Sequence, residues 1–248
     1  RAHASNVGVA SIATESAIGL LMEKELKYLG ETMNAPEEPC VVILGGAKIG
    51  DKITLIKNMM GKADSILIGG AMAFTFLKIQ GKNVGSSLID EDNLNTAEEI
   101  LRLANNTNTN IVLPLDAVAG PKLSDDATWR VASLDDLKNN EAGYDIGPET
   151  TMEFEMVLSN AKTIIWNGPL GVSEIPAFST GTQAIASAVI DKTEDGAISI
   201  IGGGDTASAL KQYGLDKGFT HISTGGGASL QLMSGKQLPA LEALKEYA

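Results

Sequence analysis

Residues 41–52 read VVILGGAKIGDK. Four apolar residues, Val41–Leu44, run into Gly45 and Gly46; Lys48 follows, and Lys52 stands four positions further on. An apolar run this short, rich in β-branched residues and closed by glycine, is the pattern of a strand buried on both faces, as in a parallel sheet. The glycines allow a tight turn, and the spacing of Ile53, Ile56 and Met60 predicts a helix beyond it. A strand–turn–helix of this kind presents backbone N–H groups, and here two ammonium groups, to a phosphate. Two solvated lysines at a helix start fit the same residues. The GxxxxGK[ST] spacing of a Walker-type loop is absent.

Outward from this stretch, the theme of a strand followed by glycines recurs. Ser65–Ile68 precedes Gly69 and Gly70, and Thr163–Trp166 precedes NGPLGVSE (residues 167–174). Ala197–Ile201 precedes GGGDT (202–206), and His221–Ser223 precedes TGGGAS (224–229). With Cys40–Leu44 and Ile111–Leu113, these runs predict six buried strands. Helical patterns lie between them, behind Gly69 and Gly70 through about 79, and near 92–104, 148–159 and 178–190. Strands alternating with helices argue for a parallel sheet covered on both faces. Ligands in such sheets bind outside the carboxyl ends of the strands, and all five glycine loops fall on that edge. Residues 117–148 read as a polar excursion with short antiparallel strands around Trp129–Val131. Ile18, Leu21, Met22, Leu26 and Leu29 predict one helix over 15–29, ended by Gly30. Residues 1–14 read as a loop, and Leu238–Tyr247 as a last short helix. No change of composition divides residues 15–248.

The chain of 248 residues is long enough to bury a substantial core. Its 27 glycines exceed the usual ~7 % and sit behind apolar runs, so they mark loops of special geometry. A net charge of −12 argues against bulk binding to nucleic acid or an anionic membrane, while leaving room for a small anionic ligand. A single cysteine, Cys40, cannot form an internal disulfide; it reads as a core residue, and a cytosolic setting is expected. No apolar run approaches the ~18 residues that span a bilayer.

Several loop residues suit phosphate chemistry. Asp205 starts a helix behind three glycines, where it is either an N-cap or a Mg²⁺ ligand. Glycines 225–227 suit an anion at a helix N-terminus or a packing turn. Glu174 ends a rigid loop and fits either a ribose or solvent. Gly69 and Gly70 offer either a flat shelf for a planar ring or close packing. His221, one of two histidines, reads as a core or loop residue. There is no Cys/His cluster, no nucleophile elbow, and no GxGxxG in the strand–helix setting of a dinucleotide fold, which weighs against a dehydrogenase.

Taken in order, VVILGGAKIGDK, ILIGGAMAFTFL, IIWNGPLGV, IIGGGDT and STGGGAS resemble phosphoglycerate kinase, as do the opening RAHAS and the LMEKEL helix. The resemblance extends over the whole chain and is to the C-terminal, nucleotide-binding half of that two-domain family. It implies a Rossmann-like, doubly wound sheet of about six parallel strands with helices on both faces. Residues 1–30 would be an interdomain linker and helix, and 31–248 the nucleotide-binding domain. The implied reaction is reversible phosphoryl transfer between 1,3-bisphosphoglycerate and MgADP, giving 3-phosphoglycerate and MgATP. Lys48, Gly204 and Gly227 would serve the transferring group. Lys52, Gly46, Gly69, Gly70, Tyr144, Asn167, Glu174, Gly203 and Thr206 would bind the nucleotide. Asp205 would take Mg²⁺, and Arg1 would be the last substrate-side arginine. The expected partners are ADP or ATP, phosphoglycerate and the missing N-terminal domain, with no nucleic acid or membrane, and the family is expected to be monomeric. Without that domain the chain is expected to turn over poorly and to expose apolar surface along the 18–29 helix and at its C-terminus. The alternative is a non-catalytic ADP/ATP-binding module. Ser173, Gln231, Ser234 and Tyr144 depart from the common family pattern, which affects nucleotide affinity.

Overall fold

The computed structural model describes residues 2–124, 126 and 128–245. Along the chain come a π-helical turn Ala4–Gly8, α1 (Val9–Ile12), α2 (Leu20–Leu26), a second π-helical stretch Lys27–Thr32, β1 (Cys40–Leu44), α3 (Ile53–Met59), β2 (Ser65–Ile68) and α4 (Met72–Ile79). Then follow α5 (Leu94–Asn105), β3 (Asn110–Val112), β4 (Asp116–Gly120), β5 (Arg130–Ser133), β6 (Ala142–Ile146), α6 (Pro148–Leu158), β7 (Thr163–Asn167) and α7 (Thr180–Glu194). The chain closes through β8 (Ile198–Gly202), α8 (Gly204–Gln212), β9 (His221–Ile222), α9 (Gly227–Met233) and α10 (Pro239–Lys245).

Six strands form one parallel sheet in the order β3-β2-β1-β7-β8-β9. The chain builds outward from β1 to β3, then returns to β1's other side and builds outward again. The order therefore reverses between β1 and β7, where Leu44 pairs with Asn167. Such a switch point leaves a crevice between the diverging loops. Alternate strand residues enter two cores, as the two-residue period requires. Val42, Leu44, Ile66 and Ile68 meet α3, α4, α5 and α9, while Val41, Ile43, Leu67, Ile164 and Trp166 meet α6, α7 and α8. All five residues of β1 are buried, which accounts for the unbroken apolar run.

The excursion keeps its expected extent but is more ordered than its sequence suggests. Strands β5, β4 and β6 make an antiparallel sheet with its own core of Phe74, Leu77, Ala117, Ala119, Leu134 and Leu137. Its Asp116 also starts α6. One carboxylate oxygen accepts from the Thr150 N–H at 2.8 Å and the other from the Glu149 N–H at 3.1 Å. This is capping from 33 residues away, which no local motif announces.

Three local expectations change. Residues 4–12 are helical rather than looped, with His3 accepting from the Ser5 N–H at the start. The 15–29 helix begins only at Leu20, because Gly19 is extended, and it runs past Gly30 to Thr32 in π form. Burial of Leu29 and Met33 to 2 % and 1 % exposure holds that last turn against the wall, overriding Gly30's preference for an end. The 46–52 segment is an irregular loop, not the start of a helix. Gly46 has φ +97°, and the N–H groups of Ile49 and Gly50 turn to Asp90, so α3 starts at Ile53.

Apolar surface is exposed along the 18–29 stretch, as expected, with Leu20 85 % and Leu21 62 % exposed; Ile12, outside that stretch, is 83 % exposed as well. Beside it lies an apolar groove of about 740 Å³, lined by Ile18, Leu26, Leu29, Leu232, Leu238 and Leu241 among others. Among the described residues no helix is long and apolar enough to cross a membrane. Arg1 and Tyr247 lie outside the described residues.

Candidate functional site

The switch-point crevice is a pocket of about 250 Å³. It gathers Gly46, Lys48 and Lys52 from the loop after β1, Asn167 from the end of β7, and Gly203, Asp205 and Thr206 from the β8–α8 junction. Asp51, Gly168 and Pro169 complete its wall. Seven of the residues singled out in the sequence, 160 positions apart at the extremes, thus meet in one cavity. The apolar groove is larger, but the charge and the free donors are here.

Backbone packing makes the walls stiff. The Gly45 N–H donates to the Asn167 carbonyl at 3.0 Å and the Gly46 N–H to the Pro169 carbonyl at 2.9 Å. A Cβ on Gly45 would stand 2.0 Å from the Pro169 oxygen, so only glycine fits. The Gly168 N–H donates to Thr206 Oγ1 at 2.7 Å, tying the β7 loop to α8. Gly203, at φ +91°, turns the chain into α8, whose backbone ladder starts with the Ala207 N–H on the Gly203 carbonyl. The N–H groups of Gly204, Asp205 and Thr206 therefore have no helical acceptor and carry the positive end of the helix dipole.

Two features mark the pocket as a place for an anion. Asn167 is 3 % exposed, and its Nδ2 has no hydrogen-bond partner. A buried amide donor left unpaired is costly, and an acceptor in the pocket satisfies it. Lys52 is half-buried; burial pulls its pKa down, and the nearby Asp51 and Asp205 carboxylates push it back up. Lys48 is exposed at the rim. Among the described residues no three His, Cys, Asp or Glu side chains converge as a metal cage. Asp205 and Asp51 nonetheless line the pocket, and one or two carboxylates with substrate phosphates is the common way of holding Mg²⁺. The donor set fits that ion.

The other predicted residues sit elsewhere along the same edge. Gly70 and Tyr144 line a narrow crevice with Phe74, Asp145 and Leu170. The Tyr144 ring packs 4.9 Å from that of Phe178. Packing alone accounts for Gly69 and Gly70: a Cβ would stand 2.6 Å from Leu170 Cδ2 in the first case and 2.6 Å from the Gly46 nitrogen in the second. Glu174 is exposed on the loop after β7 and lines neither cavity. Gly204 and Gly227 begin α8 and α9 with open space where a Cβ would be.

Three acids beside the site escaped the sequence reading. Glu25 of α2 accepts from the Thr224 N–H at 2.9 Å and from Ser223 Oγ at 2.8 Å, and lies 3.1 Å from His221 Nε2. Burial raises its pKa, but these donors outweigh it and the net shift is downward. His221 is buried and stacked on Tyr28 at 5.2 Å, a core histidine as its short strand suggested. Asp145 accepts from the Gly181 N–H at 2.8 Å and the Ile146 N–H at 2.9 Å; burial pushes its carboxyl up to about 7. Asp90 accepts from Ile49 and Gly50. All three partnerships except Asp145–Ile146 join residues 36 to 199 positions apart, so no local motif could reveal them.

With this geometry in view, similarity to known proteins can be placed. The family model for phosphoglycerate kinase matches residues 1–236. The phosphoglycerate kinase of Chloroherpeton thalassium is 49 % identical over 244 residues, covering 98 % of this chain and 62 % of the relative. That of Thermosipho africanus is 50 % identical over 245 residues, covering 98 % and 61 %. The solved phosphoglycerate kinase of Coxiella burnetii superposes with a TM-score of 0.94 at 40 % identity, over 99 % of this chain and 62 % of that one. That of Pyrococcus horikoshii superposes at 0.85 with 32 % identity, over 98 % and 60 %. This chain thus spans about three-fifths of the length of these relatives, and across that span sequence and fold agree: it belongs to the phosphoglycerate kinase family of phosphotransferases.

Proposed function

We propose that this chain is the nucleotide-binding half of a phosphoglycerate kinase. It binds MgADP or MgATP in the switch-point pocket, in the service of phosphoryl transfer between 1,3-bisphosphoglycerate and ADP in the cytosol. The observation that carries the reading is the buried, unpaired amide of Asn167 in a pocket that two lysines and the N-terminus of α8 also line. A chain of phosphates supplies the acceptors that this arrangement lacks.

In this reading Lys52 and Lys48 lie along the phosphate chain, Lys52 deeper and Lys48 toward the transferring group. Asn167 donates to a phosphate oxygen, and the N–H groups at the start of α8 donate from the opposite wall. Asp205 holds Mg²⁺, which neutralises phosphate charge when bound. Gly70 and Tyr144 face the base, Glu174 the ribose, and Gly227 offers backbone donors near the transferring group. Phosphoryl transfer needs little covalent help from protein; it needs reactants aligned and charge stabilised, and these groups supply both. No residue here is assigned to phosphoglycerate except Arg1, so transfer by these 248 residues alone is absent or slow.

Calorimetry with MgADP tests the binding half of the proposal, with saturable 1:1 binding expected and loss of it in Lys52→Met. Absence of binding at millimolar MgADP overturns it. A coupled assay tests the other half: near-normal turnover by this chain alone refutes the claim that it supplies only one side of the reaction. The non-catalytic module remains the reading if binding is seen but no turnover follows when the remainder of a family member is added.

A further inference from the structure

The loop that carries both lysines is pinned at its start, where the Gly46 N–H donates to the Pro169 carbonyl and the Gly46 carbonyl accepts from the Met72 N–H, and again in its middle. Within residues 47–51, among the described residues, the N–H groups held by a group from another part of the chain are those of Ile49 and Gly50. Both go to Asp90 Oδ2, at 3.0 and 3.4 Å. Lys52 N–H turns back onto the Ile49 carbonyl at 2.7 Å, so the position of Ile49 sets that of Lys52. Lys48 immediately precedes Ile49. The two ammonium groups therefore flank the tether.

Asp90 is itself fixed from behind. Its N–H donates to Oγ1 of Thr75, a fully buried residue of α4, at 2.9 Å, and Asn93 Nδ2 lies 3.0 Å from both carboxylate oxygens. Gly50 packs closely on the same group: a Cβ there would stand 3.1 Å from the Asn93 amide nitrogen. The chain of contacts runs from the sheet-packed helix α4 through Thr75 and Asp90 to the lysine loop. Ile49's side chain, 0 % exposed, anchors the same point by burial.

We propose that Asp90 is a positioning residue for the phosphate-binding lysines: its carboxylate gathers the Ile49 and Gly50 N–H groups and so holds Lys48 and Lys52 at the pocket. This rests on the nucleotide reading above. It runs against the simpler expectation of an acid beside a phosphate site, which is repulsion. Asp90 shares a second cavity of about 230 Å³ with Lys48, Glu91 and Asp92. Were its charge the dominant effect, removing it would tighten anion binding. A lost hydrogen bond to a charged acceptor instead leaves the loop free to move, and binding weakens.

The two cases separate by calorimetry of the whole chain with two probes, MgADP and magnesium tripolyphosphate. Asp90→Ala is expected to weaken both by about tenfold, the scale of one charge-assisted hydrogen bond. Asp90→Asn keeps an acceptor for Ile49 and is expected to bind both within about threefold of wild type. Asp92→Asn removes an exposed charge from the same cavity without touching the loop and is expected to leave both affinities unchanged. Unchanged or tighter binding in Asp90→Ala overturns the proposal, as does Asp92→Asn matching the loss. Should Asp90→Ala fail to fold, amide hydrogen exchange in the wild type still decides: Ile49 and Gly50 must exchange more slowly than Ala47 and Lys48. If the wild type binds neither probe, the nucleotide reading fails on its own, and the exchange pattern still tests the tether.

Discussion

Replacing Asn167 by leucine should make the free protein more stable while weakening its grip on nucleotide. The amide sits at the end of β7, in register with Leu44 on one side and Gly202 on the other, with Nδ2 buried and unpaired. Burying an unpaired polar group costs about 1–3 kcal/mol. Leucine is close to asparagine in size and carries no such penalty, and no side-chain hydrogen bond is lost in the exchange. Nδ2 stands only 3.1 and 3.2 Å from where Cβ atoms of Gly202 and Gly203 would be, so the extra bulk of the branched methyls takes back part of the gain. The expected net is about 1–2 kcal/mol of stabilisation. For a chain of this size that is a rise of roughly 2–8 °C in melting temperature. Thermal unfolding in buffer free of phosphate measures the first effect and calorimetry with MgADP the second, where a loss of at least about tenfold is expected. A variant destabilised by more than 1 kcal/mol without ligand would show that the amide is satisfied in the free protein, and the pocket would lose its strongest mark.

Asp145, raised by burial from 3.8 to about 7, binds a proton more readily folded than unfolded. Its contribution to stability is full below about pH 4 and is lost as pH rises through 7, by about 4 kcal/mol at most. Urea midpoints at pH 5 and 8 should fall accordingly in the wild type and differ less in Asp145→Asn. Gly45→Ala sets a methyl against the Pro169 carbonyl, backbone against backbone, and should cost more than about 3 kcal/mol or prevent folding, read by urea titration. Burial, with Asp64 and Glu38 nearby, pushes the Cys40 thiol up to about 12, so a thiol reagent at pH 8 should label it only as fast as the fold opens, and labelling should accelerate sharply in denaturant. Chelating magnesium should weaken ADP binding at least about tenfold in the wild type and by a smaller factor in Asp205→Asn, compared by calorimetry.

The sheet was legible because its signal is local. Each strand is an apolar run with glycine behind it, and the runs at Cys40–Leu44 and Ser65–Ile68 match the observed strands end to end. The pocket was legible for the same reason: every strand's loop lies on one edge, so residues named one loop at a time had to come near one another. What escaped is held by distant partners. Asp116 caps a helix 33 residues away, Glu25 grips a loop 199 residues away, and Asp90 holds two N–H groups of a lysine loop 40 residues upstream. Each is an ordinary acid in a polar stretch until the fold supplies its donors. The late start of α3, expected closer behind the glycine turn, belongs here too, since the Ile49 and Gly50 N–H groups are taken by Asp90. Gly30 failed as a stop for a related reason: burial of Leu29 and Met33 outweighed a local preference worth about 1 kcal/mol.

The charge pattern decides what kind of anion the pocket can hold. The chain carries −12 overall, and the four charged residues lining the pocket, Lys48, Lys52, Asp51 and Asp205, cancel formally. Beyond a Debye length of about 8–10 Å an approaching polyanion meets no net attraction from these four. Binding must then come from short-range terms: the Asn167 amide, the free N–H groups of α8 and lysines pressed against phosphate oxygens. The two carboxylates oppose a bare phosphate chain at that range and favour one that brings a divalent cation. On the nucleotide reading proposed above, the pocket should therefore take the metal complex and resist free nucleotide. Asp205 stands in the first turn of α8 beside its free N–H groups, so on that reading the discrimination should rest chiefly on Asp205. Neutralising it removes the repulsion of free nucleotide and the hold on metal together. The two forms should therefore converge in affinity, whereas a site run on bulk positive charge would keep them apart.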